Sequence, residues 1–300
     1  MKKVSIITVN FNQGAVTGEF LESFFAVNSY PDTELIVVDN GSDTELPQTL
    51  KEEYPGVIFI RSEKNTGFAG GNNLGIARAK GDYLFFVNND TEFTSDLIAK
   101  LVHTLDRHPE AGVVSPKIMY HDKPDIIQYA GFSPMNFYTG RNRCIGQYEK
   151  DSGQYDNMPG PTGYAHGAAM MVRREAIEKA GTMPEDFFLY YEEMDWCERI
   201  KRAGYQIWLE PRAVIYHKES LSVGKESPLK EYYMTRNRIL FIRRNAGFLA
   251  RKLFILHFTF LVTPRNTAVY LLNGKYDLLK AFFKGWSDGI RDVRGKNFYK

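Results

Sequence analysis

The chain has 300 residues, 43% of them hydrophobic and 25% charged, which supports a sizeable core and argues against global disorder. The net charge of +2 hides an asymmetry: residues 211–300 hold 18 Lys and Arg against 6 Asp and Glu (+12), and residues 1–210 hold 20 against 30 (−10). The split points to a C-terminal part that meets something anionic, a membrane surface or a phosphate-bearing substrate, with a merely solvated charged face as the alternative.

Residues 4–9 read as a buried strand ending at Asn10-Phe11-Asn12. Met1-Lys2-Lys3 runs straight into it, so no signal peptide is expected. An amphipathic helix follows over 16–27, with Phe20, Leu21, Phe24 and Phe25 on one side. A second strand over 34–39 ends in Asp39, and Asn40-Gly41-Ser42-Asp43 makes a turn and helix cap. A helix over 45–53 leads to a third strand over 57–61. This alternation at short spacing predicts right-handed βαβ units and a parallel sheet.

Asp39 stands where nucleotide-binding sheets place an acid to bond a ribose or base. Neither G-x-G-x-x-G nor a Walker loop follows the first strand, so those nucleotide folds are disfavoured. Three glycines and three asparagines over 65–73 (Asn65-Thr-Gly67-Phe-Ala-Gly-Gly71-Asn72-Asn) open a helix. They allow a phosphate to approach free backbone amides, or they serve only capping and close packing.

Residues 83–87 are a strongly buried strand that breaks off into Asn88, Asn89 and Asp90. A strand end rich in oxygen side chains suits Mg²⁺ or Mn²⁺, and through it a phosphate; an Asx turn is the plain alternative. Thr94 or Ser95 is expected to cap a helix to Arg107, followed by a strand over 112–115. Residues 118–161 lose periodicity and predict irregular hairpins and loops near the substrate. A small-residue strand over 167–172 and a helix from 174 come next.

Glu192, Glu193 and Asp195 open a further helix. Acids in a first turn suit the helix dipole, and they also suit a general base. Strands over 206–210 and 213–216 end at His217, read either as a metal ligand or as a packed histidine. Cys144 and Cys197 provide neither a disulfide framework nor zinc spacing, and both are expected as reduced thiols in a cytoplasmic protein, Cys197 packed on a helix.

From Leu229 on the chain reads as helical. Residues 253–262 are apolar but far short of the ~20 residues a span needs, so a transmembrane helix is rejected. An interfacial helix fits the basic flanks, joined by a second amphipathic stretch over 276–286; a packed helix or a homodimer contact are the competing readings.

Together these segments resemble a family 2 glycosyltransferase of the GT-A fold. The resemblance rests on residues 4–12, on Val37-Val-Asp-Asn-Gly-Ser-Asp43, on the Asn65–Asn73 loop, on Asn88-Asn-Asp90 and on residues 191–199. The Gly-Phe-Ala-Gly-Gly-Asn-Asn form is similar to the rhamnosyltransferase-like branch, whose donors are often dTDP-L-rhamnose. It implies an α/β fold: a Rossmann-like, mostly parallel central sheet flanked by helices over residues 1–225, and a helical extension over 226–300.

The resemblance also implies roles. Asp39 would bind the base or ribose, helped by Thr8, Asn10, Asn12, Asn65, Gly67, Gly71, Asn72 and Asn89. Asp90 matches the last acid of the family's Asp-x-Asp motif and would hold Mn²⁺ or Mg²⁺, with His217 completing the site. Asn88 replaces the first acid and weakens the ligand set. Glu193 falls at the base position of the family's Glu-Asp-x-Asp segment, with Glu192 and Asp195 as alternatives.

The implied reaction is inverting transfer from a nucleotide-sugar donor, dTDP-L-rhamnose before a UDP-sugar. The acceptor would be a bacterial cell-surface glycan or a polyprenyl-linked oligosaccharide at the cytoplasmic leaflet. No nucleic-acid partner is expected. A non-catalytic GT-A-like binding module and a nucleotidyltransferase are the competing functions, and residues 10–14 lack the Gly-rich basic loop that the latter needs.

Overall fold

The computed structural model describes residues 1–218 and 227–292. Strands and helices alternate through β1 (Val4–Asn10), α1 (Gly14–Val27), β2 (Thr33–Asp39), α2 (Gln48–Glu53), β3 (Ile58–Arg61), α3 (Gly67–Ile76) and β4 (Tyr83–Val87). Then come β5 (Thr91–Phe93), α4 (Leu97–Arg107), β6 (Ala111–Tyr120), β7 (Lys123–Tyr129), β8 (Gly160–Pro161) and β9 (Ala169–Arg173). The chain continues with α5 (Arg174–Ala180), α6 (Glu192–Arg202), β10 (Gln206–His217), α7 (Pro228–Asn245) and α8 (Phe248–His257). A π-helical stretch, Phe258–Val262, joins α8 to α9 (Thr263–Leu272), and α10 (Tyr276–Ile290) follows.

Ten strands form one sheet in the order β3-β2-β1-β4-β9-β6-β10-β5, with β7 on β6 and β8 on β10. The first four neighbours run parallel, as the strand–helix alternation predicts. Beyond β4 the sheet turns mixed: β9 is antiparallel to both β4 and β6, and β10 is parallel to β6. All five residues of β4 are buried, which fits its place in mid-sheet under helices on both faces.

The helices dock for local reasons. Helix α1 buries Thr17, Phe20, Leu21 and Phe24, one face at helical spacing. Helix α3 lies tight on β1: a Cβ at Gly75 would come 2.4 Å from Ile7 Cγ2, and one at Gly71 2.8 Å from Val9 Cγ1. One hydrophobic cluster unites Ile7, Leu84, Phe86 and Trp196 with Leu240, Phe241, Phe254, Phe258 and Phe282. The C-terminal helices therefore share a core with the sheet. The expected boundary at residues 225 and 226 lies outside the described residues. Cys144 and Cys197 form no disulfide, and Cys197 is buried on α6 as expected.

Several expectations are corrected. Strand β6 runs on to Tyr120 and β7 returns over Lys123–Tyr129, so part of the region read as irregular is a regular hairpin. What orders it is tertiary: β6 pairs along β10 as far as Tyr120 and His217. The rest of that region is loops and isolated bridges, such as Asn136 with Arg141. β10 is one strand with a register shift between Glu210 and Val214, rather than two. Neither Thr94 nor Ser95 stands at the N-cap of α4; Asp96 does, at φ 59° and without a side-chain capping bond, and Thr94 Oγ1 donates to the Val214 carbonyl. Strand β5, only three residues long, has no visible periodicity, yet it brings Thr91 opposite His217.

Candidate functional site

The ends of the parallel strands build one side. Asn10, at the end of β1, donates from Nδ2 to Asp39 Oδ1 (3.2 Å) and to Ser42 Oγ (3.1 Å). Its Oδ1 accepts from the Gln13 amide and the Thr17 hydroxyl. Asp39 is buried at the end of β2, and its second oxygen accepts from Arg61 at 3.0 Å. Asn12 takes a left-handed φ of 56° and exchanges hydrogen bonds with Asp43. Asn40 reaches across to Gly67 O (2.9 Å) and to Asn65 Oδ1 (3.2 Å), tying the glycine-rich loop to β2. Thus Asn10, Asn12, Asp39, Asn65 and Gly67 meet at the C-terminal ends of β1 and β2.

Four expected donor residues sit differently. Gly71 faces Val9, and Asn72 is buried with its amide bonded to Phe68 O in its own helix. Asn89 is buried and donates to Thr17 Oγ1. Thr8 lies inside β1, fully buried. All four are buried, Asn72 and Asn89 with their amides bonded within the fold. Arg61 is an addition that a strand-ending arginine alone did not signal.

The turn after β4 carries the acidic group. His217, at the end of β10, places Nε2 3.2 Å from Asp90 Oδ1 and 3.5 Å from Asn88 Nδ2. Its Nδ1 lies 2.9 Å from Gln128 Oε1 on β7. With Nδ1 held by the Gln128 amide, Nε2 is turned toward the Asp90 carboxylate. Asp90 Oδ1 is buried and has no hydrogen-bond donor among the described residues. A carboxylate oxygen without a donor, an imidazole nitrogen and the Asn88 side chain are a donor set that could hold a divalent cation. Among the described residues no cluster of three His, Cys, Asp or Glu forms a fuller metal cage. Gln128 was not foreseen; it sits in the segment read as irregular.

The start of α6 closes the site from the other direction. Glu193 is half-buried, and burial pushes its carboxyl up to about 7. Glu192 is buried, and desolvation together with Glu193 raises its carboxyl well above the usual range. Asp195 is 1% exposed and accepts from Asn245 at 2.7 Å, with Arg244 at 3.9 Å. Asp195 is thereby engaged in holding α6 on α7, which leaves Glu193 as the accessible acid. A Cβ built at Gly167 would lie 3.7 Å from Glu193 Cγ and Cδ. The next residue, Ala168, accepts the Asn88 amide at 2.9 Å. The short segment 166–168 therefore lies between the base candidate and the Asn88–Asp90–His217 group. His166 belongs to it; burial and the nearby His217 lower its ring to about 3, so it is neutral.

Residues 5–181 match the sequence model of Glycosyl transferase family 2. This chain belongs to that family. The low-salt glycan biosynthesis hexosyltransferase Agl10 of Haloferax volcanii is 30% identical over 212 residues, 69% of this chain and 66% of that relative. The dTDP-rhamnosyl transferase RfbF of Shigella flexneri is 24% identical over 276 residues, 88% of each. The N-acetylglucosaminyl-diphospho-decaprenol L-rhamnosyltransferase of Mycobacterium tuberculosis is 24% identical over 241 residues, 74% of this chain and 78% of that one. These relatives place the chain in the rhamnosyltransferase-like branch. A mannosyltransferase of Pyrobaculum calidifontis, solved with GDP-Man and Mn²⁺, superposes with a TM-score of 0.60 at 16% identity, over 97% of this chain and 88% of that one. The family 2 chain has the GT-A fold.

Proposed function

We propose that this family 2 chain is an inverting sugar transferase. It takes its sugar from a nucleoside diphosphate donor, dTDP-L-rhamnose first and a UDP-sugar next. The observation that carries this is the half-buried Glu193, with its carboxyl raised to about 7, set across segment 166–168 from Asp90 and His217. Asp39, Asn10, Asn65 and Arg61 hold the nucleoside end. Asp90, His217 and Asn88 would hold Mn²⁺ or Mg²⁺, which offsets charge on the leaving diphosphate. The Glu193 carboxylate takes the proton of the acceptor hydroxyl as its oxygen bonds to the anomeric carbon. The bond from that carbon to the diphosphate oxygen breaks, and its electron pair leaves with the nucleoside diphosphate. One displacement from the opposite face inverts the anomeric centre. NMR of the product formed from dTDP-L-rhamnose should show the anomeric configuration opposite to the donor's; retention would rule out the single displacement.

The acceptor is a hydroxyl of a bacterial cell-surface glycan or polyprenyl-linked oligosaccharide; the name of the Mycobacterium relative supports the lipid-linked form. The C-terminal helices support an acceptor met at the cytoplasmic leaflet. Leu249 (64% exposed), Leu256 (53%) and Phe260 (68%) recur along α8 and the π-helical stretch, opposite the buried Phe254 and Phe258. From residue 243 to residue 276 there are 6 Lys and Arg and no Asp or Glu. That pairing of an apolar stripe with cations suits an anionic lipid surface, where each cation contributes roughly 1 kcal/mol. Among the described residues no helix is long and apolar enough to cross a membrane. The double change Leu256→Asp and Phe260→Asp should cut sedimentation with anionic vesicles about tenfold or more, given the ~1.5–3 kcal/mol each side chain gains on full burial. Unchanged vesicle binding, or a dimer lost in the variant, would assign the stripe to something else.

A further inference from the structure

The chain just before α6 is backbone-strained. Phe188, Tyr190 and Tyr191 take φ values of 68°, 68° and 74°, in the left-handed region that non-glycine residues seldom occupy. Three such residues within four positions persist only if the surroundings hold them. The holder is one dipeptide in the middle of α7. Asn237 Nδ2 lies within hydrogen-bond distance of three carbonyls, Phe187 (3.0 Å), Leu189 (2.7 Å) and Tyr190 (2.8 Å). Arg236 donates to the carbonyls of Asp186 (2.5 Å) and Phe187 (2.9 Å), and its Nε donates to Asn237 Oδ1 at 2.8 Å. Both side chains are fully buried, and the guanidinium lies 5.1 Å from the centre of the Tyr233 ring. A buried cation is costly to desolvate, yet here it is spent on backbone carbonyls one turn from the catalytic acids.

The same loop reaches the donor side. Phe188 O accepts the Phe68 amide in the first turn of α3 at 2.8 Å. The contact is so close that a Cβ on Gly67, itself at φ 76°, would stand 2.2 Å from that oxygen. Asn73, further along α3, donates to Met183 O (3.0 Å) and Glu185 Oε1 (2.8 Å) and accepts the Met183 amide. The loop before the base and the helix behind the glycine-rich loop are thus bonded at two points.

We propose that Arg236 and Asn237 are positioning residues: by holding the 186–191 loop, with Phe188, Tyr190 and Tyr191 at positive φ, they set Glu193 against the acceptor and lock it to the donor-binding end of α3. The role rests on the transfer reaction proposed above. It explains a buried Arg-Asn pair that touches neither the donor residues at the ends of β1 and β2 nor the Asn88–Asp90–His217 group.

The test compares wild type with Asn237→Ala and Arg236→Lys, the latter keeping the cation but losing the planar fork. A misplacement of about 1 Å costs roughly 10²-fold in turnover, so kcat of Asn237→Ala should fall by that order. With the loop slack, water reaches Glu193, and the acid limb of the kcat/KM profile should move to lower pH. Affinity for the nucleoside diphosphate should weaken as well, because α3 loses its brace. Arg236→Lys should show the same changes to a smaller extent, and it carries the test if the alanine variant does not fold. Folded variants with the pH limb, nucleotide affinity and kcat all unmoved would overturn the proposal. So would a loss of activity that only tracks the folded fraction. A wild type without turnover would instead overturn the transfer reaction itself, and the positioning role with it.

Discussion

Glu193→Gln leaves a folded protein that binds donor and transfers almost nothing. The amide has the shape of a protonated carboxyl but cannot take the acceptor's proton. Removing a general base costs typically about 10²–10⁴-fold in rate, and the loss should fall on kcat rather than on KM for the donor. The wild-type pH profile checks the same assignment. Burial raises the Glu193 carboxyl to about 7, and catalysis needs the ionised form, so kcat/KM should rise about tenfold per pH unit up to that value and then level.

Stability should run the other way. A carboxyl raised in the fold favours the native state while it is protonated, most fully below its unfolded value, and that contribution fades as pH climbs through 7. Glu193→Gln should therefore melt higher than wild type at pH 8 while being inactive there. By contrast Asp195→Ala, which leaves Asn245 Nδ2 without its acceptor, should act chiefly on the docking of α6 and lower the melting temperature.

Asp90→Ala has the second large effect. Asp90 supplies the only carboxylate in the group with His217 and Asn88, and its Oδ1 has no protein donor among the described residues. Without it the remaining imidazole and amide side chains hold a divalent cation poorly. Cation stabilisation of developing charge is worth several kcal/mol, so kcat/KM should fall by about 10³-fold or more, and added Mn²⁺ should not restore it. Full activity of the variant in the presence of a chelator would remove the cation from the reaction.

Much of this site was legible because it lies at strand ends. A buried run that stops at an oxygen-rich residue, as at Asp39 and Asp90, shows both the strand and the address of its last side chain. Helix openings carry a similar signal, which is why Glu192, Glu193 and Asp195 stand out. What was not legible depends on pairing at long range. Gln128 reaches His217 only because β7 folds back along β6, and no local periodicity announces that hairpin. The three residues of β5 are too few to show a period, yet they align Thr91 with His217. Asn72 and Asn89 carried the right residue type for a ligand, but turned their amides onto Phe68 O and Thr17 Oγ1, because polar groups in buried positions must find partners nearby. Arg236 and Asn237 carry no local signal, because their partners are carbonyls about fifty residues away on the loop before α6.

The most direct measurement is thermal unfolding of the whole chain with dTDP, UDP and GDP, each with and without Mn²⁺. A ligand at 100 times its Kd adds about 2.7 kcal/mol to stability, which gives a clear rise in Tm. The expected result is a rise with dTDP that requires Mn²⁺ and disappears in Asp90→Ala. The absence of any rise with all three nucleotides would contradict a donor site built from Asp39, Asp90 and His217.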